Sequence, residues 1–261
     1  MTQNLQLLDP FPIVGIFLGF AVISLLVYEL GFRLGKWWQG HTPDEKEGPT
    51  GMILGSVLGL LAFLLAVTMG LASDRFETRR SLVLQESNSI GTTYLRAGYL
   101  PEPYATDIRK LLREYAPLRI NVADRQQFTA NLAASTRIQN ELWTRTEELA
   151  RQQPESVVLG LFIDSLNETI DLQESRAVAI VYGRVPETIL ILLFLGEVLT
   201  LGVVGYNAGL QGTRGVVTAV VLVLVLGAVL TLVVDLDRPR DGFLQVSQQP
   251  LIDLSTQLGA P

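Results

Sequence analysis

The sequence of 261 residues contains no cysteine and a single histidine, His41. The lack of cysteine excludes disulfides, thiol nucleophiles and thiolate zinc sites, and one histidine excludes a metal site built on a histidine pair. A Ser-His-Asp hydrolase would have to use His41, which stands in the polar stretch GHTPDEKEGP and is interpreted as a solvated loop residue. No constellation of nucleophile, base and metal is present, so an enzyme is not predicted.

Charged residues are scarce, at 18% of the chain, and unevenly distributed. Some windows hold almost none over a length that suits a membrane helix, which needs about 20 apolar residues. A helix that is apolar on all sides has no polar surface that could face water. These windows therefore predict four transmembrane helices in contact with the lipid bilayer. The windows are residues 11–29, 52–73, 187–210 and 215–234.

The formal net charge of −6 is mild, and acidic and basic residues nearly cancel in the central segment. Binding to nucleic acid depends on a concentration of positive charge. No nucleic-acid partner is therefore predicted.

The segment between the second and third windows is predicted to be a helical domain in water. No Gly or Pro interrupts the chain between Ser73 and Gly91, so the second membrane helix should continue into this domain. Apolar stripes of helical spacing follow, and no alternating pattern is long enough to predict a strand. The stripes are Tyr104, Ile108, Leu111, Leu112 and Tyr115; Phe128, Leu132, Ile138, Leu142 and Leu149; and Leu159, Phe162, Ile163, Leu166 and Ile170.

The predicted fold is an all-α membrane protein with four transmembrane helices and a cytoplasmic antiparallel helical bundle inserted between the second and third. Near the C-terminus, Leu251, Leu254 and Leu258 predict a short helix with one apolar side. The predicted segments are residues 1–73 for the first two membrane helices, 74–186 for the bundle, 187–235 for the last two membrane helices and 236–261 for a tail.

Lysine and arginine residues near the ends of the membrane helices predict which side is cytoplasmic. With four membrane helices, both termini and the bundle lie on one side, which carries seven such residues against four on the other. This excess predicts a cytoplasmic bundle, although the flanks of the first membrane helix argue for the opposite orientation. The seven are Arg75, Arg79, Arg80, Arg176, Arg184, Arg238 and Arg240, and the four are Arg33, Lys36, Lys46 and Arg214.

An acidic residue, Glu197, lies in the middle of the third membrane helix, in ILLFLGEVLTLGVV. An ionised carboxylate at that depth costs roughly 2.5 to 3.5 kcal/mol or more, so the side chain is not expected to face lipid. Two interpretations stay open. The carboxylate handles an ion or a proton inside a pore or the bundle interior, or it is protonated and hydrogen-bonds a neighbouring helix, for example through a Ser or Thr.

Three arginines, Arg75, Arg79 and Arg80, follow directly after the second membrane helix. If several copies of this helix surrounded an axis, the arginines would form cationic rings at the mouth of a pore and concentrate anions there. The alternative is ordinary anchoring at the membrane surface, with Asp74 and Glu77 as local ion-pair partners.

Three aspartates, Asp235, Asp237 and Asp241, crowd the turn after the fourth membrane helix. Their spacing offers oxygen ligands to a hard cation such as calcium, which is the one cofactor considered. The pattern does not match an EF-hand. Ion pairs with Arg238 and Arg240 are the alternative interpretation.

Two further groups of residues are predicted to hold helices together. The pairs Gly15 with Gly19 and Gly55 with Gly59 should let the first two membrane helices approach their neighbours closely. Polar residues near the apolar stripes of the bundle should form buried links between its helices. These polar residues are Asn88, Asn167 and Asp171.

Three stretches together are similar to a known family. They are FETRRSLVLQESNSIGTTYLRAGYLPEP after the second membrane helix, SLNETIDLQESR in the bundle and DLDRPRDGFLQVSQQPLIDL after the fourth membrane helix. They resemble the bestrophin-like domain family of bacterial membrane proteins of unassigned function, named for similarity to the bestrophin anion channels. The resemblance covers most of the chain from about Met52 onward and implies a location in the bacterial inner membrane.

The resemblance also implies residue roles. In bestrophins, five subunits surround a chloride-conducting pore, with a narrow neck of apolar and aromatic side chains from the second membrane helix. For a comparable lining the second membrane helix here offers Phe63 and Val67, with Ser56 and Gly59 a turn or two away, and it departs from bestrophins in having Phe63 as its one aromatic residue. Bestrophins also bind calcium at an acidic stretch after the last membrane helix, where this chain has the sparser DLDRPRD.

Two hypotheses of function follow. The first is a homo-oligomeric channel permeable to anions such as chloride, with a pore lined by the second membrane helix and a pentameric assembly by analogy. The second is a membrane-anchored interaction or regulatory module, whose bundle binds a partner and which conducts no ion. A monomer in detergent, which has no axis for a pore, would favour the second.

Overall fold

The computed structural model describes residues 7–42, 48–120, 125–239 and 242–259, and every regular element within them is an α-helix. The prediction of an all-α fold is confirmed. The helices are α1 (Ile13–His41), α2 (Gly48–Ala97), α3 (Tyr104–Leu118), α4 (Arg125–Gln152), α5 (Val157–Val181), α6 (Glu187–Gln211), α7 (Val216–Asp237) and α8 (Gln249–Gln257).

Four of these helices, α1, α2, α6 and α7, are long and apolar enough to cross a membrane. They overlap the four apolar windows of the sequence, so the prediction of four membrane helices is confirmed. The second of them, α2, runs on for 50 residues, as the lack of Gly and Pro after Ser73 predicts. It ends at Ala97, just before Gly98, because Gly and the prolines that follow disfavour further helix.

The chain forms two compact units. The membrane unit comprises Met1–Phe76 and Arg184–Gln245, and the bundle unit comprises Glu77–Gly183 and Val246–Pro261. The end of the chain, predicted as a separate tail, is therefore divided between the two. Its last helix, α8, belongs to the bundle unit because Leu251 and Leu254 are buried in the apolar core of that unit.

Glycines hold α1 and α6 in direct backbone contact within the membrane unit. A side-chain carbon at Gly205 of α6 would overlap the carbonyl oxygen of Tyr28 of α1, and one at Gly35 would overlap the carbonyl oxygen of Tyr206. Only glycine permits such an approach, which increases van der Waals contact between helices in lipid. Gly31, Gly202 and Gly209 lie in the same contact.

The predicted glycine pairs do not form the close helix contacts within the single chain. A carbon added at Gly19, Gly55 or Gly59 would meet nothing within 4 Å, and one at Gly15 would meet only the side chain of Pro12. The prediction is wrong for contacts within one chain. The same spacing of small residues occurs on several membrane helices, and it does not indicate which of these pairs faces a neighbouring helix.

The apolar stripes predicted for the bundle form its core. Ile108, Leu112 and Tyr115 of α3 are fully buried and pack with residues of α4 and α5. Burying each large apolar side chain stabilises the fold by about 1.5 to 3 kcal/mol. The other core members from the predicted stripes are Leu111, Ile138, Leu142, Leu149, Leu159, Phe162 and Leu166.

Candidate functional site

One side of α2 in the membrane unit carries the four residues predicted to line a pore. Ser56, Gly59, Phe63 and Val67 recur at helical spacing and are all exposed in the single chain. The Ser56 hydroxyl donates to the carbonyl oxygen of Met52 at 3.1 Å, so its own helix satisfies it. This surface, called the α2 face below, carries no charge and contains no polar group that requires a partner.

The three arginines that follow the membrane part of α2 do not share one surface. Arg75 and Arg80 are exposed, and Arg80 pairs with Glu77 at 3.4 Å. Arg79 is 4% exposed, and its Nη1 donates to the carbonyl oxygen of Gly183 at 3.4 Å. The prediction that Arg79 contributes to a solvent-facing ring is wrong, because its side of α2 is covered by the segment that follows α5.

Glu197 lies in the interior of the membrane unit and is fully buried. Neither carboxylate oxygen has a hydrogen-bond partner within the described part of the chain. The nearby hydroxyl of Thr200 instead donates to the carbonyl oxygen of Gly196 at 2.6 Å. The described residues therefore do not form the predicted hydrogen bond from a Ser or Thr. An unpartnered ionised carboxylate is very costly in such surroundings, so a neutral acid or a bound cation is the arrangement that fits.

A junction clamp of Asp9, Arg184 and Asp237 joins three separate segments of the membrane unit. The Arg184 guanidinium donates to both Asp9 oxygens at 2.7 and 2.9 Å and to Asp237 Oδ2 at 3.0 Å. Asp237 Oδ1 accepts from the Val185 backbone at 2.6 Å. Burial alone would lower the pKa of Arg184, but the hydrogen bonds and charges of Asp9 and Asp237 outweigh it and raise that pKa above its ordinary value.

Two of the three aspartates considered as calcium ligands have partners within the protein. Asp235 accepts from the backbone N–H groups of Phe243 at 2.8 Å and Leu244 at 3.0 Å, which anchors the segment after α7. Asp237 belongs to the junction clamp, and Asp241 lies outside the described residues. Among the described residues, no group of three acidic or histidine side chains could hold a metal ion.

For Asp237, the arginine partner differs from the prediction. Asp237 pairs with Arg184 rather than with Arg238. Arg238 Nη2 donates to the carbonyl oxygens of Leu8 and Phe11. Arg240 lies outside the described residues. Neighbours in sequence at the end of α7 point to different sides, so the closest arginine along the chain is not the closest in space.

The bundle unit contains a buried ion cluster of Glu86, Arg119 and Arg176. Arg119 Nε donates to Glu86 Oε1 at 2.6 Å, and Arg176 Nη1 donates to Glu86 Oε2. Glu86 is completely buried, and the two arginines are 8% and 3% exposed. Arg176 also reaches the carbonyl oxygen of Arg119 at 3.1 Å and Gln248 at 3.0 Å, while Arg119 Nη1 donates to Ser135 at 3.4 Å. The cluster therefore links α2, α4 and α5 with the residue that follows α3 and the residue that precedes α8.

Neutral polar side chains next to the ion cluster form further buried hydrogen bonds in the bundle. The Tyr115 hydroxyl donates to Gln173 at 2.8 Å and accepts from Gln139 at 3.1 Å. Burial raises the pKa of Tyr115 to about 12, so this hydroxyl keeps its proton. The next hydrogen bonds between α2 and α5 join the hydroxyl groups of Ser89, Thr93 and Thr169 and the backbone carbonyl oxygen of Ser165.

The polar links predicted from the sequence are not these residues. Asn88, Asn167 and Asp171 are all exposed, so the prediction that they are buried links is wrong. A usable signal was present in α5, where Ser165, Thr169, Gln173 and Arg176 follow one another at intervals of four, four and three residues. That spacing places them on one side of the helix, next to the apolar stripe.

These observations define a multi-pass α-helical membrane protein with a helical bundle inserted between its second and third membrane helices. The profile of the Bestrophin-like domain matches residues 15–251. The chain belongs to the Bestrophin-like family, as the three sequence stretches indicate.

Solved structures of a bacterial Bestrophin homolog from Klebsiella pneumoniae have a similar fold. One superimposes with a TM-score of 0.64 at 14% sequence identity and covers 94% of this chain and 98% of that chain. A single-residue variant of that homolog gives a TM-score of 0.68 at 15% identity and covers 92% of this chain and 99% of that chain. Identity this low shows the fold alone. No curated protein sequence matches the chain.

Proposed function

We propose that this protein is a homo-oligomeric ion channel that is permeable to anions, with a pore lined by the α2 face. Membership of the Bestrophin-like family supports the proposal, because the bestrophins for which the family is named conduct chloride. The α2 face is the observation that carries it. This uncharged surface runs along the membrane part of the longest helix, and it is exposed in the single chain.

The chemistry of the α2 face suits a narrow, apolar passage. Phe63 is 64% exposed and Val67 is 45% exposed, and such side chains around an axis would form a constriction that opens and closes by wetting. Arg75 is exposed on the same helix. A ring of Arg75 side chains raises the local concentration of anions and favours them over cations.

The assembly and orientation belong to the same proposal. Several subunits surround one axis, five by analogy with bestrophins, in the inner membrane of a bacterium. The excess of lysine and arginine on the side of the bundle favours a cytoplasmic location for the bundle and both termini. Counting the subunits in particle images of the purified protein tests the assembly directly.

The pore is tested by chloride flux from liposomes that contain the purified protein. Because the chain has no cysteine, single-cysteine variants require no altered background. We expect flux above that of empty liposomes, and we expect a charged, water-soluble thiol reagent to block Phe63→Cys and Val67→Cys. Leu199→Cys is the matched control, because Leu199 is a 67% exposed apolar residue of a different membrane helix, α6.

Two results would contradict the proposal in different ways. If no chloride flux exceeds that of empty liposomes at any pH or calcium concentration tested, the channel function is wrong. If the protein conducts and the thiol reagent blocks Leu199→Cys but leaves the two α2 variants unaffected, the pore is lined by another surface.

A membrane-anchored interaction module remains the second candidate. Exposed apolar side chains on the bundle unit favour it, since such surfaces often contact another protein. Leu95 is 67% exposed, and Tyr99 and Val157 are each 77% exposed. In the channel these residues would contact further copies of the chain, whereas in the module they would contact a different protein. A monomer in detergent would support the module.

A further inference from the structure

A groove lies between α1 and α6 in the membrane unit, and its volume is about 450 Å³. This volume is within the range of about 300–1,000 Å³ that is usual for sites that bind small molecules. The deepest part of the wall is formed by almost completely buried side chains, those of Phe20, Leu230 and Val234. The rim consists of exposed apolar side chains, those of Phe11, Ile23, Ile191 and Leu195. A space with such a wall does not take up water, so an apolar occupant is expected.

The groove exists because α1 and α6 meet closely in one half of the membrane unit and are held apart in the other. Beyond the groove, a side-chain carbon at Gly31 would overlap the carbonyl oxygen of Gly202, so the two backbones are in contact there. Within the groove, the rings of Phe20 and Phe194 meet edge to face with centroids 5.8 Å apart and separate the helices. Gly19 lines this part of α1, and a carbon added to it would meet no atom within 4 Å. This glycine therefore leaves open space rather than forming a helix contact.

The groove is about as long as one leaflet of the bilayer is thick. It extends from Glu187 to Leu195 on α6 and from Gly15 to Ile23 on α1, and each of these stretches rises about 12 Å along its helix. Half of a hydrocarbon core of about 30 Å is about 15 Å. A membrane helix of a second copy would pack along the whole thickness of the core, whereas an acyl chain of one leaflet ends near its middle. The length of the groove favours the acyl chain.

Charged groups lie at the outer end of the groove, where α6 begins. Glu187 lines this end, and its Oε1 accepts from the backbone N–H of Leu7 at 2.6 Å. Arg238 donates to the carbonyl oxygens of Leu8 and Phe11, two further residues that line the same end. A phospholipid has the same order of groups, with a charged headgroup at the membrane surface followed by an apolar chain.

We propose that this groove binds one acyl chain of a phospholipid from the leaflet in which α1 and α6 begin. The acyl chain enters beside Glu187 and lies against Phe20 and Phe194, in the space that Gly15 and Gly19 leave. Lipid tails are as apolar as the wall of the groove, so van der Waals contacts rather than the hydrophobic effect hold the acyl chain. Because it bridges α1 and α6 where their backbones separate, it stabilises the membrane unit. The site depends on the membrane helices alone and not on whether the protein conducts ions.

Photo-crosslinking distinguishes a bound lipid from the surrounding bilayer. The full-length protein is reconstituted in phosphatidylcholine liposomes with a small fraction of phosphatidylcholine that carries a diazirine in the middle of one acyl chain, and labelled residues are identified by mass spectrometry. We expect several-fold more labelling at Ile191 and Leu195, which are 42% and 50% exposed, than at Leu192, which is 61% exposed and lies outside the groove at the same depth. Labelling that follows exposure alone would mean that lipid only surrounds the protein and would overturn the proposal. Labelling of Leu192 without Ile191 and Leu195 would mean that protein covers the groove and would also overturn it.

Two variants of α1 locate the site. Gly19→Leu places a side chain in the groove, and the open space around Gly19 permits it. Val14→Phe adds the same number of heavy atoms at a 53% exposed position outside the groove. We expect Gly19→Leu to lose the excess labelling and Val14→Phe to keep it, with melting temperatures that show both proteins to be folded. A folded Gly19→Leu protein that keeps the whole excess would refute the groove as the site. A changed number of subunits in particle images of Gly19→Leu would instead show that a second copy occupies the groove, and the proposal would be wrong.

Discussion

Replacing Glu86 with glutamine gives the most direct test of the ion cluster. The substitution keeps the shape of the side chain and removes the single carboxylate that Arg119 and Arg176 share. Because Glu86 is completely buried, water cannot take the place of the lost charge. Removing one partner of a buried ion pair costs about 3 to 5 kcal/mol. For a chain of this size, that corresponds to a fall in Tm of roughly 10 °C.

The matched control is Glu77→Gln in the same helix. Glu77 pairs with Arg80 at 3.4 Å, but both side chains are about two-thirds exposed, and such surface pairs contribute less than about 1 kcal/mol. Thermal unfolding of both purified variants can be followed by tryptophan fluorescence, to which Trp143, packed against the core of the bundle unit, contributes. If the two variants melt within a degree of each other, the reasoning about buried charge is wrong.

Three further outcomes are expected from the same unfolding measurements. Gly205→Ala should lower the melting temperature, because the added carbon would overlap the carbonyl oxygen of Tyr28. The control Gly19→Ala should not lower it, because no atom lies within 4 Å of the added carbon. Equal melting temperatures of the two variants would refute the glycine contact. Burial raises the pKa of Tyr115 to about 12, so its neutral form stabilises the fold at pH 10 and below. This contribution, about 3 kcal/mol by linkage, is lost as the pH rises from 10 to 12, and Tyr115→Phe should remove that part of the alkaline destabilisation. Glu197→Leu should raise the free energy of unfolding by about 1 to 3 kcal/mol, because it removes a buried polar group without a partner; a decrease would instead indicate that the carboxyl group holds a ligand.

The sequence by itself determined the features that depend on local composition. Four apolar windows predicted the membrane helices, because a helix in lipid requires a long uncharged stretch whatever its neighbours are. The continuity of α2 past Ser73 followed from the absence of Gly and Pro. The stripes of α3, α4 and α5 predicted the apolar core, because helical spacing alone places such residues on one face.

Only the tertiary structure decided which polar residues are buried and which glycines are in contact. Arg79 and Arg80 are adjacent and chemically identical, yet one is covered by the chain after α5 and the other faces solvent. Glu86 is buried while Asn88, two residues later, is exposed. Spacing gives the direction of a side chain around its own helix, but burial depends on the neighbour that packs there. That neighbour comes from a distant part of the chain.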